Sequence, residues 1–164
     1  MPRIMTVSAV VVAGLLAMSS VNAASDKPWL QPGWEPITEQ ERQPPTESEI
    51  GQVQLSEKTA NGVRYLSGGF GVAERAWLAE QGADYPLRVE FSRGARGEFV
   101  SQVTLVLTNA AGEQVFKAVS DGPLMYLDLP PGRYQGSASY AGQTREFAVN
   151  VSGTAQVRAN VNFP

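Results

Sequence analysis

The stretch from Gln102 to Tyr140, QVTLVLTNAAGEQVFKAVSDGPLMYLDLPPGRYQGSASY, decides the fold. Val103, Leu105 and Leu107 alternate with threonine and valine, and a period of two is typical of a strand with one buried face. Short runs of turn residues separate the apolar segments: Ala111-Gly112, Asp121-Gly122-Pro123 and Pro130-Pro131-Gly132. Glycine and proline are the strongest local breaks in regular structure. The stretch therefore predicts four successive antiparallel strands.

Two positions in this stretch carry more specific signals. Lys117 interrupts the apolar alternation of the second strand, and an outward lysine is typical of an edge strand because it discourages pairing with another sheet. Pro131 presets φ for the second position of a turn, and Gly132 tolerates the positive φ of the third position in a type II turn. We therefore expect a type II turn, followed by a strand that opens at Tyr134.

The Leu-Pro-Pro-Gly-x-Tyr sequence between two strands resembles the carboxypeptidase-regulatory-like modules, which belong with the transthyretin-like (prealbumin-like) β-sandwiches. Further short motifs are similar to those of a group of short secreted proteobacterial proteins: Ser67-Gly68-Gly69-Phe70-Gly71, Tyr85-Pro86-Leu87, Gly97-Glu98-Phe99 and Asp121-Gly122-Pro123. The resemblance covers the chain from about Tyr65 to its C-terminus. It implies an all-β antiparallel sandwich and a secreted location, and it implies no activity.

Residues 1–23 have the features of a secretory signal peptide. Arg3 provides a positive start, an apolar run follows, and the segment ends in small residues suited to cleavage after Ala23 or Ala24. The apolar run is shorter than the roughly 20 residues of a membrane span. We expect a periplasmic protein that is not inserted in the membrane after cleavage; an uncleaved N-terminal anchor is the alternative.

Residues 24–57 differ in composition from the rest of the chain. They hold five prolines and seven acidic residues against two basic ones. Such a segment buries little apolar area, so we expect a disordered or extended tail. Trp29 and Trp34 are the exceptions, because large apolar side chains in a polar tail can dock on the domain itself or on a partner. Both tryptophans are candidate binding residues.

Residues 58–164 are predicted to form one β-sandwich of seven to eight strands with a single short helix at about residues 72–81. A Gly-rich loop precedes this helix, and such loops can bind phosphate. This one lacks the lysine and the third glycine of nucleotide-binding motifs, and Glu74 would repel an anion. We therefore interpret the loop as a tight turn, with Trp77 packed on the sheet and Gly82 at the C-terminus of the helix.

The clearest half-buried strand follows the helix, with Leu87, Val89 and Phe91 on one face. It leads into a flexible connection, Arg93-Gly94-Ala95-Arg96-Gly97. Arg93 and Arg96 are candidate contacts for an anionic group, although a solvated loop is the more common case.

Composition excludes several classes of function. The chain has no histidine and no cysteine, which removes the usual general base, the nucleophile pairs that depend on histidine, thiol chemistry and nearly all zinc or iron sites. Residues 58–164 are close to neutral, so they lack the basic surface of a nucleic-acid-binding domain. Calcium would need several oxygen ligands in one loop, and no loop clusters aspartates. We predict neither a metal site nor a cofactor.

A pair of carboxylates remains conceivable for catalysis. The candidates are strand or turn residues with no apolar pocket to raise a pKa: Glu90, Glu98, Asp121 and Asp128. We expect these four acids to face outward and to keep the protein soluble.

The sequence thus predicts a non-catalytic module that binds another envelope protein through a sheet edge, an end loop or the Trp29–Trp34 segment, with addition of a strand to a sheet edge as the favoured mode. The alternative is a glycan- or small-ligand-binding module around the Gly94–Gly97 loop, with Trp34, Tyr126 and Tyr140 as aromatic contacts.

Overall fold

A computed structural model describes residues 43–164. Within this part of the chain there are two helices and ten strands: α1 (Glu47–Gly51), β1 (Lys58–Ala60), β2 (Val63–Gly68), α2 (Val72–Gln81), β3 (Leu87–Arg93), β4 (Glu98–Phe99), β5 (Thr104–Asn109), β6 (Gln114–Val119), β7 (Leu124–Leu127), β8 (Gly132–Tyr140), β9 (Gln143–Val151) and β10 (Val157–Phe163). The predicted all-β class is confirmed, and the predicted helix lies at the expected residues.

The strands form two sheets that pack face to face. The first sheet has the order β1-β2-β7-β3-β10, with β4 paired to the end of β3, and the second has the order β6-β5-β8-β9. β6 lies at a sheet edge, as Lys117 predicted. Tight two-residue turns join β1 to β2 and β8 to β9, with positive φ at both central residues in each: Asn61-Gly62 and Ala141-Gly142.

The core lies between the sheets and is built by the period-two pattern of the strands. Leu87, Val89 and Phe91 on β3 are fully buried and face the equally buried Leu105 and Leu107 of β5 within one apolar cluster. The neighbours of these residues along each strand are only half-buried. The alternation seen in the sequence therefore identified the inward face of both central strands correctly.

A second, smaller core lies on the outer face of the first sheet, under α2. Its buried members are Leu66, Leu78, Tyr85, Leu124 and Tyr126, with Leu55 and Trp77 packed against them. Trp77 is therefore packed on the sheet, as expected from its helical spacing. β2 and β7 are buried on both faces as a result, which explains why Leu124–Leu127 reads as an unbroken apolar run rather than an alternating one.

Two features of the predicted sandwich are corrected. β10 pairs with β3 in parallel, from Val157 opposite Leu87 to Phe163 opposite Arg93, so the sheets are not wholly antiparallel. The periodicity of a strand does not encode the direction of its neighbour, and the six strands between β3 and β10 bring the chain back to the end of the sandwich where β3 starts. The described residues also contain ten strands rather than seven or eight, because β1 and β4 are too short to show a periodic pattern.

The expectation of a disordered or extended tail is not met in the described part of residues 24–57. Thr46 and Glu49 form a capping box, in which the Glu49 main-chain N–H donates to Thr46 Oγ1 at 3.3 Å and the Thr46 N–H donates to Glu49 Oε2 at 2.7 Å. This reciprocal capping starts α1, and the backbone hydrogen bond from Thr46 lowers the pKa of Glu49. Leu55 then packs on the second core. The high content of proline and acidic residues in this segment predicted disorder, whereas the capping box and Leu55 give local order.

The predicted type II turn at the Pro-Pro-Gly sequence is also wrong. Gly132 does not have the positive φ that a type II turn requires at this position, and it is the first residue of β8. The connection is held instead by the Tyr134 hydroxyl, which donates to the Pro130 carbonyl oxygen at 2.7 Å. This contact is similar to the tyrosine corner of β-sandwiches, in which a tyrosine hydroxyl bonds to backbone a few residues upstream. Burial raises the pKa of Tyr134.

Gly82 ends α2, but for a different reason from the expected one. Its φ of −89° is accessible to any residue. A Cβ at this position would instead overlap the ring of Tyr126 and the carbonyl oxygen of Leu78. Glycine is required because the end of the helix lies directly on the second core.

We expect Gly82→Ala to lower the free energy of unfolding by about 1–3 kcal/mol, the usual cost of forcing extra volume into a packed interior. Urea unfolding measures the change. Gly51→Ala is the matched control, because no atom lies within 4 Å of a Cβ added there. Equal stabilities of the two variants would contradict the close contact with Tyr126.

Candidate functional site

Five connecting segments of the described chain gather at one end of the sandwich, and two of them, residues 100–103 and 120–123, pass from one sheet to the other. The strand registers bring the ends of β2, β3, β6, β8 and β10 together with the starts of β5, β7 and β9. The Asp121 N–H donates to Ser67 Oγ at 2.9 Å, which ties the two sheets together there. We call this region the apical end; its connecting segments are residues 69–71, 94–97, 100–103, 120–123 and 141–142.

The Gly-rich loop at the apical end already holds a carboxylate of its own chain. Glu74 Oε2, in the first turn of α2, accepts hydrogen bonds from the N–H groups of Gly69 at 2.8 Å and Phe70 at 3.2 Å. A glutamate that reaches back to free N–H groups at a helix start is a common capping arrangement. The loop is therefore a tight turn whose anion-binding groups are occupied, in agreement with the interpretation drawn from Glu74.

Arg75 fixes the same loop from the opposite side. Its guanidinium donates to the carbonyl oxygens of Gly69 at 3.1 Å and Phe70 at 2.8 Å. The same group lies 5.7 Å from the centre of the Phe99 ring, within range of a cation–π contact. Arg75 thus holds the loop of Phe70 and the ring of Phe99 next to each other.

Large apolar side chains are exposed at this end of the molecule. Among residues 43–164, four large apolar side chains are classed as exposed: Phe70 at 53%, Val72 at 45%, Phe99 at 41% and Val119 at 47%. Phe70 lies in the Gly-rich loop, Phe99 ends the short β4, Val72 opens α2 directly after the loop, and Val119 ends β6 at the same end. The large exposed apolar surface of the described chain is therefore concentrated at the apical end rather than scattered.

A groove of about 360 Å³ lies at the apical end, and two of these side chains, Phe70 and Phe99, line it. Aromatic rings and polar groups both line it: Phe70, Arg93, Glu98, Phe99, Val100, Ser101, Gln102 and Tyr140. Tyr140 is half-buried and packs on Phe163, with ring centres 5.4 Å apart. Gln102 has a φ of 59°, which is uncommon for a residue other than glycine, and it marks the bend where the chain passes into β5.

The two arginines predicted as binding residues both lie at the apical end, but in different settings. Arg93 lines the groove, and its Nε contacts Glu98 Oε2 at 3.2 Å across the β3–β4 turn. Arg96 is exposed at the tip of that turn and does not line the groove. The structure thus brings Arg93 to the aromatic rings and leaves Arg96 at the rim. Trp29 and Trp34 lie outside the described residues.

Of the two tyrosines suggested as glycan contacts, one is buried in a core and the other lines the apical groove. Tyr126 is buried in the second core, where burial raises its pKa, so it is not available to a ligand. Tyr140 lines the apical groove. The prediction of Tyr126 failed because β7 is covered on both faces, and its sequence does not tell which side of the sheet lies under α2.

Each of the four acids considered for catalysis contacts a different cation. Glu90 pairs with Arg88 at 2.8 Å, Glu98 with Arg93 at 3.2 Å, Asp121 with Lys58 at 2.6 Å and Asp128 with Arg64 at 2.6 Å. The hydrogen bond to Asp121 raises the pKa of Lys58. Exposed pairs of this kind contribute little to stability, at most about 1 kcal/mol each.

Two edge strands of the sheets are partly closed by side chains from the opposite sheet. The Lys117 N–H on β6 donates to Asn61 Oδ1 from the β1–β2 turn at 3.0 Å. Arg145 Nε on β9 donates to the carbonyl oxygen of Asn162 on β10 at 3.1 Å. These bonds use backbone groups that an added strand would need.

A second depression, of about 370 Å³, lies between α2 and β2 on the outer face of the first sheet. The Tyr85 hydroxyl donates to Glu57 Oε2 there. Arg64 Nη1 lies 3.3 Å from the same Glu57 oxygen, and its Nη2 lies 2.6 Å from Asp128 Oδ2. Burial, reinforced by the hydrogen bond to Glu57, raises the pKa of Tyr85 to about 12.

Sequence reasoning missed Phe70 and Phe99 as surface residues. Both were noted only as parts of short motifs, Gly68-Gly69-Phe70-Gly71 and Gly97-Glu98-Phe99. A signal was available for Phe70, because it is flanked by Gly69 and Gly71 and a residue in a tight surface turn has few neighbours to bury it. Phe99 lies between Glu98 and Val100 and has no comparable signal. The concentration of these residues at one end depends on sheet topology.

Comparison with known proteins finds no relative by sequence: no family model and no curated protein matches. Among solved structures, S.CueP matches with a TM-score of 0.37 and 15% identity over 73% of this chain and 81% of its own. The Bacillus anthracis TIE protein matches with a TM-score of 0.38 and 14% identity over 46% of this chain. The match covers 16% of the TIE protein's length.

None of the helices in residues 43–164 is long and apolar enough to cross a membrane.

Glu74 is expected to stabilise the apical loop. Glu74→Ala leaves the buried Gly69 N–H without its partner, so the free energy of unfolding should fall by about 1–3 kcal/mol. Glu74→Gln keeps an acceptor oxygen and should lose less. Chemical denaturation compares these variants with Glu80→Ala, an exposed position on the same helix expected to change stability by less than about 0.5 kcal/mol. A Glu74→Ala variant as stable as the Glu80→Ala variant would exclude this role.

Tyr85 is expected to make stability depend on pH in the alkaline range. Its folded pKa of about 12 exceeds the unfolded value of about 10, so its contribution is complete below the unfolded pKa and is lost as the pH rises through the folded pKa. Urea unfolding from about pH 9 to about pH 11.5 should show a steeper fall for the native chain than for Tyr85→Phe. Raised pKa values at Tyr126 and Tyr134 leave a residual slope in the variant. Parallel slopes would contradict the raised pKa of Tyr85.

Proposed function

We propose that this protein is a non-catalytic interaction module of the periplasm, and that its apical end binds another envelope protein. The predicted signal peptide supports secretion, and the resemblance to carboxypeptidase-regulatory-like modules implies the same location. The observation that carries the proposal is the joint exposure of Phe70, Val72, Phe99 and Val119 at one end of the sandwich. Phe70 and Phe99 share the walls of one groove there, and exposed apolar side chains grouped on one surface of a folded domain commonly mark a site of protein interaction.

The energetics favour the aromatic residues as the anchors of this contact. Fully burying an exposed phenylalanine contributes about 1.5–3 kcal/mol, so burying what remains exposed of Phe70 or Phe99, 53% and 41%, contributes roughly half of that. Aromatic residues and arginine are also the side chains most enriched at the centres of protein interfaces. Arg75 holds the loop of Phe70 through two carbonyl hydrogen bonds, at 3.1 Å and 2.8 Å, so this part of the surface is ordered before a partner arrives. Such preorganisation lowers the entropy cost of association.

The partner segment is apolar, with acidic side chains at its margin. Phe70, Phe99 and Tyr140 supply the apolar walls of the groove, while Arg93 and Arg96 supply positive charge on one side. Because Arg93 is already neutralised by Glu98 at 3.2 Å, Arg96 is the stronger attraction for an acidic group. Such a charge at the rim changes the association rate more than the affinity.

We assign the contact to the apical end rather than to a sheet edge. Addition of a strand to an edge needs a run of unpaired backbone groups. Side chains already bond to backbone groups on β6 and β10 through Asn61 and Arg145. The apical groove needs no such rearrangement.

The alternative is a glycan- or small-ligand-binding module at the same loops. One observation favours it: Tyr140 and Phe99 line the same groove as Arg93, which would give an aromatic face beside a hydrogen-bond donor. The burial of Tyr126 removes another aromatic contact on which this alternative relied.

Site-specific photocrosslinking in cells tests the proposal. A photoreactive amino acid at Val72 or Val119 should give a discrete adduct with an envelope protein, because both positions are exposed at the apical end and neither lines the groove. The same probe at Asn150, an exposed residue near the opposite end of β9, should give none. Phe99→Ser in the probe-bearing chain should reduce the adduct tenfold or more, as about 1.4 kcal/mol of lost burial requires.

Deletion of residues 25–41 tests the contribution of Trp29 and Trp34 separately. A longer deletion to Glu57 would remove Leu55 from the second core and Glu57 from Tyr85, and would disturb the fold itself. Adducts that survive the deletion and vanish with Phe99→Ser support the apical end. No adduct from either apical position, or equal adducts from Asn150, would overturn the proposal.

A further inference from the structure

We propose that the depression between α2 and β2, called here the Trp77 pocket, is a binding site for a neutral saccharide. The site is distinct from the apical groove and does not depend on the proposed function. Its lining comes from four consecutive segments of the fold: Ser56, Glu57, Arg64, Leu66, Trp77, Gln81, Asp84 and Tyr85. Its volume of about 370 Å³ lies within the usual range of small-molecule sites, roughly 300–1,000 Å³.

The pocket combines an apolar wall with a polar rim. Trp77 is half-buried against the second core and still lines the pocket, while Leu66 and Tyr85 are buried beneath it. Glu57, Gln81 and Asp84 are exposed around the opening. Sugar rings have apolar C–H faces and polar hydroxyl edges, so an indole beside carboxylate and amide groups matches both of their surfaces.

The polar groups of the pocket are fixed before any ligand binds. Glu57 accepts from the Tyr85 hydroxyl and lies 3.3 Å from Arg64, which Asp128 anchors in turn at 2.6 Å. The loop that carries Asp84 and Tyr85 is held by Gln156 Nε2, which donates to the carbonyl oxygens of Gly82 at 2.8 Å and Tyr85 at 3.0 Å. A rigid rim lowers the ordering cost of binding a flexible polar ligand.

The charged groups of the lining are mostly paired within the protein, so they create no strong preference for an ion. Arg64 lies 3.3 Å from Glu57 and 2.6 Å from Asp128, and these charges offset one another. Asp84 adds one exposed carboxylate at the rim, which disfavours an anion. A saccharide without charge can bond to both carboxylates and the guanidinium without opposing either sign.

The test uses the fluorescence of Trp77 in the exported, processed chain carrying Trp29→Phe and Trp34→Phe. Chitotriose, maltotriose and cellotriose are titrated to about 10 mM, since an affinity near 1 mM corresponds to only about 4 kcal/mol. We expect at least one trisaccharide to shift or quench the emission with saturation. Gln81→Ala and Asp84→Asn alter exposed side chains outside the cores and should each weaken this binding about tenfold, or about 1.4 kcal/mol.

Phe99→Ser is the matched control, because it removes an exposed side chain from the apical groove and should leave the titration unchanged. Thermal unfolding confirms that each variant remains folded. No saturable change with any of the three sugars would overturn the proposal and would leave Glu57, Tyr85 and Arg64 as a clamp that ties residues 56–57 to the domain. Binding that Gln81→Ala and Asp84→Asn leave intact would overturn it equally.

Discussion

The pairing of β3 on both sides is the constraint on which the rest of the structure depends. β3 bonds to β7 and the short β4 on one side and to β10, in parallel, on the other. Its inward residues, Leu87, Val89 and Phe91, are fully buried. A strand parallel to β3 must start at the same end of the sandwich as β3. The chain therefore forms the whole second sheet in the sequence between β3 and β10. The core is therefore completed only when the last seven residues of regular structure are in place.

This closure also determines where the surface can carry function. The ends of β2, β3, β6, β8 and β10 meet at the apical end, where the exposed Phe70 lies in the Gly-rich loop and the exposed Phe99 in the short β4. Gly122 permits the close meeting of the two sheets there, because a Cβ at this position would overlap the backbone of Gly68. Glu74 and Arg75 then fix the loop of Phe70 from the start of α2. The same packing that stabilises the fold thus prevents the exposed rings from folding back into the core.

The sequence predicted the inward faces of the long strands, the helix at Val72–Gln81 and the edge position of Lys117, because each depends on a local period or a single side chain. Local signals do not reveal the direction of a distant partner, so the parallel pairing of β10 with β3 was missed. They also do not reveal which side of a sheet a helix covers, so Tyr126 was expected at the surface and lies in the second core. Of the candidate site, Arg93 was found from its flexible loop, whereas the grouping of Phe70 with Phe99 requires the topology.

Native-state hydrogen exchange of the exported chain tests the central claim most directly, namely that β3 and β10 together close the sandwich that holds the apical end. Amides exchange slowest where only global unfolding exposes them. The account predicts that the amides of Phe91 and Val161, which lie opposite each other in the register, exchange at the rate of global unfolding, while those of residues 94–97 exchange far faster. Exchange of Val161 at the rate of the turn residues would show that β10 is not paired with β3 and would contradict the account.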